Sequence, residues 1–314
     1  MSRVIACAAL AASAIWPALA AGQDLTPTTF RQTGRLVPSG ITESSGVAVS
    51  RRHAGVLWTH NDSGDGPFIY AVDSTGARLA TFRVTGARAI DWEDIALGPC
   101  PGIWAGSCLY VGDIGDNAER RRSVALYVFP EPDPAPGRVP SDSAQATAPA
   151  LALHVKYLDG AHDAEALLVT PDTTAWIITK GRSGPILRYR LQRAQLLAES
   201  IATVPFDTLS AIVPMRMLGR WVTGAAISPD ATRIAVRTYT EVYFFRRGVS
   251  GSWSADGPPC WLGPREAQGE GIDFLDDSTE VLTSESGGAG DGSISMLRCP
   301  RPGKSGLAPT PQKR

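Results

Sequence analysis

Short apolar runs bounded by turn residues recur along the chain, and five pairs of runs can be aligned with one another. In the most distinctive pair, Ala89–Leu97 is followed after a short loop by Leu109–Asn117. Runs of this length with β-branched and aromatic residues are typical of strands. The other pairs are Glu43–Val49 with Val56–Asp62, Asp163–Val169 with Ala175–Lys180, Val222–Ser228 with Arg233–Tyr239, and Gln268–Phe274 with Glu280–Glu285.

Two further strand-like segments follow each of the first four pairs, as Phe68–Val72 and Arg78–Val84 do in the first unit. Four strands in a repeat of roughly 40 to 60 residues are typical of a β-propeller blade. The sequence therefore predicts an all-β propeller of four-stranded blades. We favour five blades. Six is the alternative, because Thr208–Arg220 could form a degenerate sixth blade.

The later units supply their outer strands less regularly. The last unit has only Ser293–Leu297 after its first pair, so we expect the N-terminal segment Phe30–Val37 to complete that blade and close the ring. Closure removes open sheet edges. The other expected outer strands are Val124–Phe129, Leu151–Tyr157, Ile186–Arg190, Ile201–Pro205, Val242–Phe245 and Pro259–Leu262.

The two ends of the chain have the composition of segments outside the domain. Residues 1–20 combine Arg3, an apolar run and a small-residue cleavage site, which predicts a signal peptide and a secreted or periplasmic protein. We expect one propeller domain over residues 21–299, with an exposed Pro/Ala-rich loop at 131–150 and a disordered tail at 300–314. No integral membrane segment is expected, and we expect a monomer.

Charge and cysteine content restrict the possible partners. The chain has 30 basic and 31 acidic residues, so no basic excess points to nucleic acid. Four cysteines remain after signal removal, and three pairings are possible. We favour Cys100 with Cys108 and Cys260 with Cys299 over a zinc site, because no Cys-x-x-Cys spacing is present.

Blade geometry brings polar residues from distant units to one channel mouth. The innermost strand of a blade begins on the face of the disc where the second strand ends, so residues that open the first runs lie near those that close the second. We predict metal ligands at Asp91, Glu93, Asp113, Asp116, Glu165 and Glu270, and ligand-binding residues at Glu43, Asn61, Asp62, Lys180, Arg182, Arg237, Tyr239 and Glu285.

Carboxylates that converge repel one another, and calcium, which takes six to eight oxygen ligands, would relieve that repulsion. The alternative for each acid is that it caps a strand or turn through hydrogen bonds. Lys180, Arg182 and Arg237 would let the mouth hold an anionic ester beside the metal, or they would form ion pairs that join blades. The residue pattern leaves both alternatives open.

Several of these segments resemble known secreted propellers. The segments are Ser45-Gly-Val-Ala48, Leu57–Gly64, Asp91–Ala96, Asp113–Asn117, Asp163–Leu167 and Glu270-Gly-Ile272. Together they are similar to the SdiA-regulated propeller family and, more distantly, to phytase-like propellers with esterase-like activity. The first resemblance implies calcium binding without known catalysis. The second implies calcium-dependent hydrolysis of phosphate esters, with Lys180 and Arg237 as phosphate clamps.

Two functions are therefore predicted. The first is a calcium-binding propeller that recognises a small molecule, a glycan or a protein, and the absence of a recognisable nucleophile and base in the sequence favours it. The second is a metal-dependent hydrolase of phosphate or related esters, and the mixture of acidic and basic residues at the mouth favours it.

Overall fold

Five β-sheets, in which most neighbouring strands are antiparallel, surround a central channel in this computed structural model. The structure describes residues 28–36, 40–62, 64–134, 143–197, 202–249, 251–287 and 292–300. The predicted signal peptide and residues 301–314 of the predicted tail lie outside the described residues. Strands are numbered in chain order, and β1 (Thr29–Arg35) belongs to the last blade.

The blades follow one another along the chain. Blade one contains β2 (Ser44–Val49), β3 (Leu57–Asn61), β4 (Phe68–Val72) and β5 (Arg78–Arg83); blade two contains β6 (Trp92–Pro99), β7 (Ser107–Asp113), β8 (Val124–Pro130) and, after the short β9 (Gln145–Ala146), β10 (Leu151–Tyr157). Blade three contains β11 (Ala164–Val169), β12 (Ala175–Thr179), β13 (Leu187–Leu191) and β15 (Phe206–Thr208). Between β13 and β15 the chain forms a helical turn α1 (Arg193–Leu196) and β14 (Ala202–Val204), which joins the sheet of blade two. Blade four contains β16 (Val222–Ile227), β17 (Arg233–Thr238), β18 (Glu241–Arg247), β19 (Trp253–Ala255) and β20 (Cys260–Trp261); blade five contains β21 (Gln268–Asp276), β22 (Thr279–Glu285) and β23 (Ser293–Arg298).

The ring has five blades and is closed by its N-terminal strand, as predicted. Strand β1 pairs antiparallel with β23, so the sheet order in blade five is β1-β23-β22-β21. The innermost strands β2, β6, β11, β16 and β21 each contact the two neighbouring inner strands. The segment proposed as a sixth blade, Thr208–Arg220, instead connects blades three and four and contains a 3-10 turn at Arg216–Leu218.

Three outer strands differ from the prediction. The segment assigned to the outer edge of blade three, Ile201–Pro205, contributes β14, which pairs parallel with β10 of blade two, and β15 takes the predicted place beside β13. In blade four the edge is shared by β19 and β20, which both pair with β18. Such additions depend on where a connecting segment lies against a neighbouring blade, which strand periodicity does not encode.

The predicted insertion at 131–150 also has structure. Within it β9 pairs parallel with β5 of blade one. At its start the buried Glu131 accepts hydrogen bonds from Trp58 Nε1 at 3.0 Å, from Ser107 Oγ at 2.6 Å and from the Ser50 hydroxyl. Because a buried carboxylate is costly unless its oxygens are bonded, these three donors explain why Glu131 is tolerated between blades one and two.

Apolar side chains pack between adjacent blades and hold the ring together. Trp58, Trp92 and Phe129 are fully buried between blades one and two, and a fully buried side chain of this kind contributes on the order of 2–3 kcal/mol. Both favoured disulfides are formed, Cys100 with Cys108 inside blade two and Cys260 with Cys299 between blades four and five. Within the described ranges, no helix has the length and apolar character needed to cross a bilayer.

Candidate metal site at the channel mouth

A β-bulge occurs near the start of the inner strand in all five blades. The strand register skips one residue between Ser44 and Gly46, and the same irregularity recurs at the equivalent place in β6, β11 and β16. In β21 the register skips two residues, Glu270 and Gly271, opposite one residue of β22. A bulge leaves its extra residue unpaired and re-aims that side chain, which is why bulges are common beside functional sites. The bulged residues are Ser45, Glu93, Glu165, Thr223 and Glu270.

The bulges put three glutamates at equivalent positions around the axis. Glu93, Glu165 and Glu270 are each at most 3% exposed. The two uncharged members of the ring support neighbours: Ser45 Oγ donates to Glu93 Oε2 at 3.3 Å, and Thr223 Oγ1 donates to the Glu270 carbonyl at 3.2 Å. When the runs Glu43–Val49 and Val222–Ser228 are aligned from their first residues, Gly224 corresponds to Ser45. The register shows that Thr223 occupies this position in blade four.

Further acids join the glutamates at the same mouth. Asp62 follows the end of β3, Asp91 and Asp163 precede Glu93 and Glu165 by two residues, and Glu285 ends β22. The electrostatic neighbours of Glu93 include Glu165, Asp62 and Asp91, and those of Glu270 include Glu165 and Glu285. We call the set Asp62, Asp91, Glu93, Asp163, Glu165, Glu270 and Glu285 the acidic mouth.

Two groups of three carboxylates in the acidic mouth are close enough to share a cation. One oxygen from each of Asp62, Asp91 and Glu93 lies within 4.8 Å of the others, and the same holds for Glu93, Asp163 and Glu165. Glu93 belongs to both groups. We call them the first triad and the second triad.

Basic side chains face the second triad. Lys180 Nζ forms a buried ion pair with Glu165, and Arg182 Nε lies 3.5 Å from Asp163 Oδ2. Burial lowers the pKa of Lys180, but the surrounding glutamates outweigh that effect and raise it, so Lys180 stays charged. The second triad is thus partly neutralised by the protein, and a cation would meet less competition at the first triad.

Several carboxyl groups of the mouth, among them those of Asp91, Glu165 and Glu285, have a raised pKa and hold their protons more tightly than ordinary acids. Burial, with repulsion from neighbouring carboxylates, raises the pKa of Asp91 to about 6 and that of Glu285 to about 8. Burial raises the pKa of Glu165 to about 7 although Lys180 opposes it. Burial and the neighbouring acids also raise the pKa of Glu93 well above its ordinary value. A bound cation would favour the ionised forms of these groups.

Glu270 supplies a sign that the mouth is not internally satisfied. Its Oε1 accepts from Gln268 Nε2 at 3.0 Å, whereas Oε2 is buried and has no hydrogen-bond partner among the described residues. Burial together with Glu165 and Glu285 raises the pKa of Glu270 well above its usual range. An unsatisfied buried carboxylate oxygen is costly, and a cation or a ligand donor would remove that cost.

Two predicted metal ligands lie beside the triads and make other contacts. Asp113 Oδ1 accepts from the Asp91 backbone N–H at 3.1 Å and pairs with Arg121 Nη1 at 2.8 Å. Asp116 Oδ2 accepts from the Arg121 backbone N–H at 2.6 Å, and its own N–H donates to Asp163 Oδ1 at 2.9 Å. Both residues therefore fix the loops that carry Asp91 and Asp163.

Several predicted ligand-binding residues are also engaged by the fold. Asn61 accepts from the Glu43 backbone N–H at 3.1 Å and donates to Asp65 at 2.9 Å, while the side chain of Glu43 is exposed at the rim. Arg237 is fully buried, pairs with Glu266 and donates to the carbonyls of Gly271 and Thr283. Tyr239 is half-buried, and burial next to Glu270 raises its pKa.

Asp94 closes the channel behind the acidic mouth, and the sequence prediction did not include it. Its Oδ2 accepts from the backbone N–H of Leu167 at 2.8 Å and of Ala225 at 3.4 Å, in blades three and four. It has room because the equivalent residue of blade one is Gly46, where a Cβ would lie 2.7 Å from Asp94 Oδ1. This buried carboxylate therefore links three blades at the axis.

Comparison with known proteins identifies the fold of the chain, through a solved structure of low sequence identity. No protein-family model matches the chain, and no curated protein is significantly similar to it in sequence. Among solved structures, the PQQ-bound aldose sugar dehydrogenase from Streptomyces coelicolor aligns with a TM-score of 0.50 and 12% identity, covering 87% of this chain and 98% of its own.

Two further solved structures resemble the chain more weakly. The Cps50 (Swd1) β-propeller domain from Myceliophteria thermophila aligns with a TM-score of 0.40 and 14% identity over 86% of this chain and 99% of its own. Virginiamycin B lyase from Staphylococcus aureus aligns with a TM-score of 0.41 and 12% identity over 81% of this chain and 65% of its own. The sheet topology and the dehydrogenase comparison together show that this chain is a five-bladed β-propeller.

Proposed function

We propose that the acidic mouth binds calcium and that the bound ion presents a surface for recognising an oxygen-rich ligand. The observation that carries this proposal is the first triad, in which oxygens of Asp62, Asp91 and Glu93 lie within 4.8 Å of one another. Carboxylates are the preferred ligands of calcium, a hard cation that takes six to eight oxygens at about 2.3–2.6 Å.

The chemistry of the donor set favours calcium over softer metals. The triads offer carboxylate oxygens alone, whereas zinc and copper prefer imidazole or thiolate ligands. Three carboxylates leave coordination positions for water or for oxygens of a ligand. A hydroxyl-rich or carboxylate-bearing small molecule, a glycan or an acidic protein loop would fit those positions.

The other predicted ligands would then act around the ion. The Asp113 carboxylate positions Asp91 by accepting a hydrogen bond from the Asp91 backbone N–H. The Asp116 backbone N–H positions Asp163 by donating to its carboxylate. A bound cation would favour the ionised forms of Glu270 and Glu285, and their negative charge would then help to retain it. The resemblance to SdiA-regulated propellers supports calcium binding as well, and the predicted signal peptide with the two disulfides supports export to the periplasm or outside the cell.

Isothermal titration of the chelator-treated mature protein with calcium tests this proposal. Wild type is expected to bind, and Glu93→Gln is expected to lose at least about tenfold in affinity because Glu93 belongs to both triads. Glu43→Gln is the matched control, because it is the same Glu-to-Gln substitution at an exposed rim residue that belongs to neither triad. Equal affinities for the two variants would contradict the assignment.

Hydrolysis of phosphate or related esters is a second candidate, and the rim next to the second triad favours it. Arg182 and Arg216 lie over the ring of Trp221, with guanidinium carbons 5.3 and 5.8 Å from its centroid. Because Arg182 also reaches Asp163, an anion on these arginines would lie beside a metal bound at the second triad.

Turnover assays separate the two candidates. Purified protein would be offered phosphomonoester and phosphodiester substrates with calcium, with Asp91→Asn and Arg182→Gln as variants. Calcium-dependent turnover that falls in both variants would support the hydrolase. Calcium binding without turnover above the Asp91→Asn background would leave ligand recognition as the function.

A further inference from the structure

A second opening lies at the other end of the same channel. The inner strands all run in the same axial direction, so their first residues form the acidic mouth and their last residues form the opposite end. There a cavity of about 330 Å³ is lined by residues of all five blades, including Val47, Leu97, Val169, Ile227 and Ile272. We call it the apolar cavity.

The sequence explains why this end is open and apolar. Three inner strands have a proline at or just after their last residue, and these prolines, Pro99, Pro171 and Pro229, all line the cavity. Proline has no N–H group and presents only ring carbons and a carbonyl. Small residues such as Ala96 and Ala225 line the wall between them and leave space that larger side chains would fill.

The apolar cavity is separate from the acidic mouth. Asp94 lies between them on the axis, where its carboxylate is fully buried and bonded to the backbone of blades three and four. None of the seven residues of the acidic mouth lines the apolar cavity. Binding at one end therefore does not depend on contacts made at the other.

The polar groups that line the cavity are already occupied by the protein. Asp273 Oδ2 accepts from the Val49 backbone N–H at 2.6 Å, and Arg51 donates to the carbonyls of Phe274 and Leu275. Ser228 Oγ donates to Asp230 at 2.6 Å. The hydroxyl of Ser107 is engaged by Glu131. A ligand in this cavity would gain contacts with carbon atoms and find few polar groups in need of a partner.

We propose that the apolar cavity binds a small, uncharged, apolar molecule. Its volume is at the lower end of the range of small-molecule sites, roughly 300–1,000 Å³, which suits a compact ring system and not a long chain. The lining has no unengaged charge to attract an ionic ligand, and desolvating an ion there would be costly. The driving force is burial of apolar surface.

Fluorescence titration with N-phenyl-1-naphthylamine, an uncharged apolar probe that brightens in apolar surroundings, tests this inference on the mature protein. Saturable one-site binding is expected for wild type. Ile227→Glu puts a carboxylate at a partly exposed position in the wall and is expected to weaken binding at least about tenfold. Val249→Glu makes a similar aliphatic-to-glutamate change at a fully exposed position that does not line the cavity, and it should leave the affinity unchanged.

Two further variants, Leu97→Glu and Glu93→Gln, test the wall in another blade and the acidic mouth. Leu97→Glu probes the wall in another blade, so a folding defect of one variant, detected by circular dichroism, does not decide the result. Glu93→Gln should bind the probe as wild type does, because it alters only the acidic mouth. Weak or non-saturable probe binding to wild type would overturn the proposal. So would a concentration-dependent dimer in light scattering that Ile227→Glu dissociates, because a second copy would then occupy this face.

Discussion

In the absence of a bound cation, the stability of this propeller should fall as the pH rises, and the carboxyls of Asp91, Glu165 and Glu285 set the pH range. A group whose pKa is higher in the folded chain than in the unfolded chain stabilises the fold below its unfolded pKa, and that contribution is lost as the pH rises through its folded pKa. Asp91, Glu165 and Glu285 have folded pKa values of about 6, 7 and 8. The loss should therefore extend from about pH 4.5 to about pH 8.

The size of the effect can be worked from Glu165, which is 2% exposed. Its pKa of about 7 replaces an ordinary value of 4.5. A difference of 1 between the folded and unfolded pKa corresponds to about 1.36 kcal/mol. Ionising Glu165 in the folded chain therefore lowers the free energy of unfolding by about 3 kcal/mol. For a domain of this size that corresponds to a fall in melting temperature of roughly 6–12 °C.

Calorimetric melting in chelator at pH 5, 6, 7, 8 and 9, repeated with millimolar calcium, measures the effect. The melting temperature in chelator should fall from pH 5 to pH 8, and calcium should restore most of it at pH 8 by pairing with the ionised carboxylates. Glu285→Gln should flatten the upper part of the curve and be more stable than wild type at pH 8.5 in chelator. A melting temperature that rises over this range, or that calcium leaves unchanged, would refute the reasoning.

Other parts of the molecule give predictions that do not depend on calcium. Asp94→Asn should lower the free energy of unfolding in urea by about 1–3 kcal/mol, because the amide NH2 faces backbone N–H donors; a variant as stable as wild type would contradict the axial role of this residue. Arg237→Met should cost about 3–5 kcal/mol in the same assay by leaving Glu266 buried without its partner, and Arg237→Met with Glu266→Met should recover part of that loss. Replacing Cys260 and Cys299 by Ala should cost about 4 kcal/mol, since the bond closes a loop of 39 residues; a loss under 1 kcal/mol would show that the strands alone hold blade five.

The blades were predictable because each repeats a readable pattern. Paired apolar runs predicted the inner two strands of all five units. A polar, Pro-rich sequence follows Ser293–Leu297 in place of a further strand-like run, and this pointed to closure by the N-terminal segment. Acids at equivalent positions in several units also predicted where the acidic mouth would be. These features depend on local sequence and on the symmetry of the ring.

The details of the mouth depend on register, which the pattern does not encode. Residues two apart in a strand point the same way, and this rule paired Asp91 with Glu93, but it does not show the bulge that aims Glu93 at its neighbours. The same limit put Gly224 where the structure has Thr223. Lys180 pairs with Glu165 because the two side chains are buried side by side. The residue pattern alone leaves open whether Lys180 forms such an ion pair or contacts an anionic ester.

Two further features arise only from packing in three dimensions. Asp94 looks like another acid near the start of a strand, and its axial place requires the missing side chain of Gly46 in blade one. The residues of the apolar cavity, such as Ala225 and Leu97, have the composition of ordinary core. The ring leaves them facing a space because five strand ends diverge around the axis.

The most direct test of the calcium proposal is a crystal structure of the mature protein grown with terbium, a calcium substitute whose anomalous scattering locates the ion. The account predicts an ion bound by Asp62, Asp91 and Glu93 at about 2.3–2.6 Å, displaced by excess calcium and absent from Glu93→Gln crystals. An ion bound elsewhere, or a mouth without anomalous signal at saturating terbium, would contradict it.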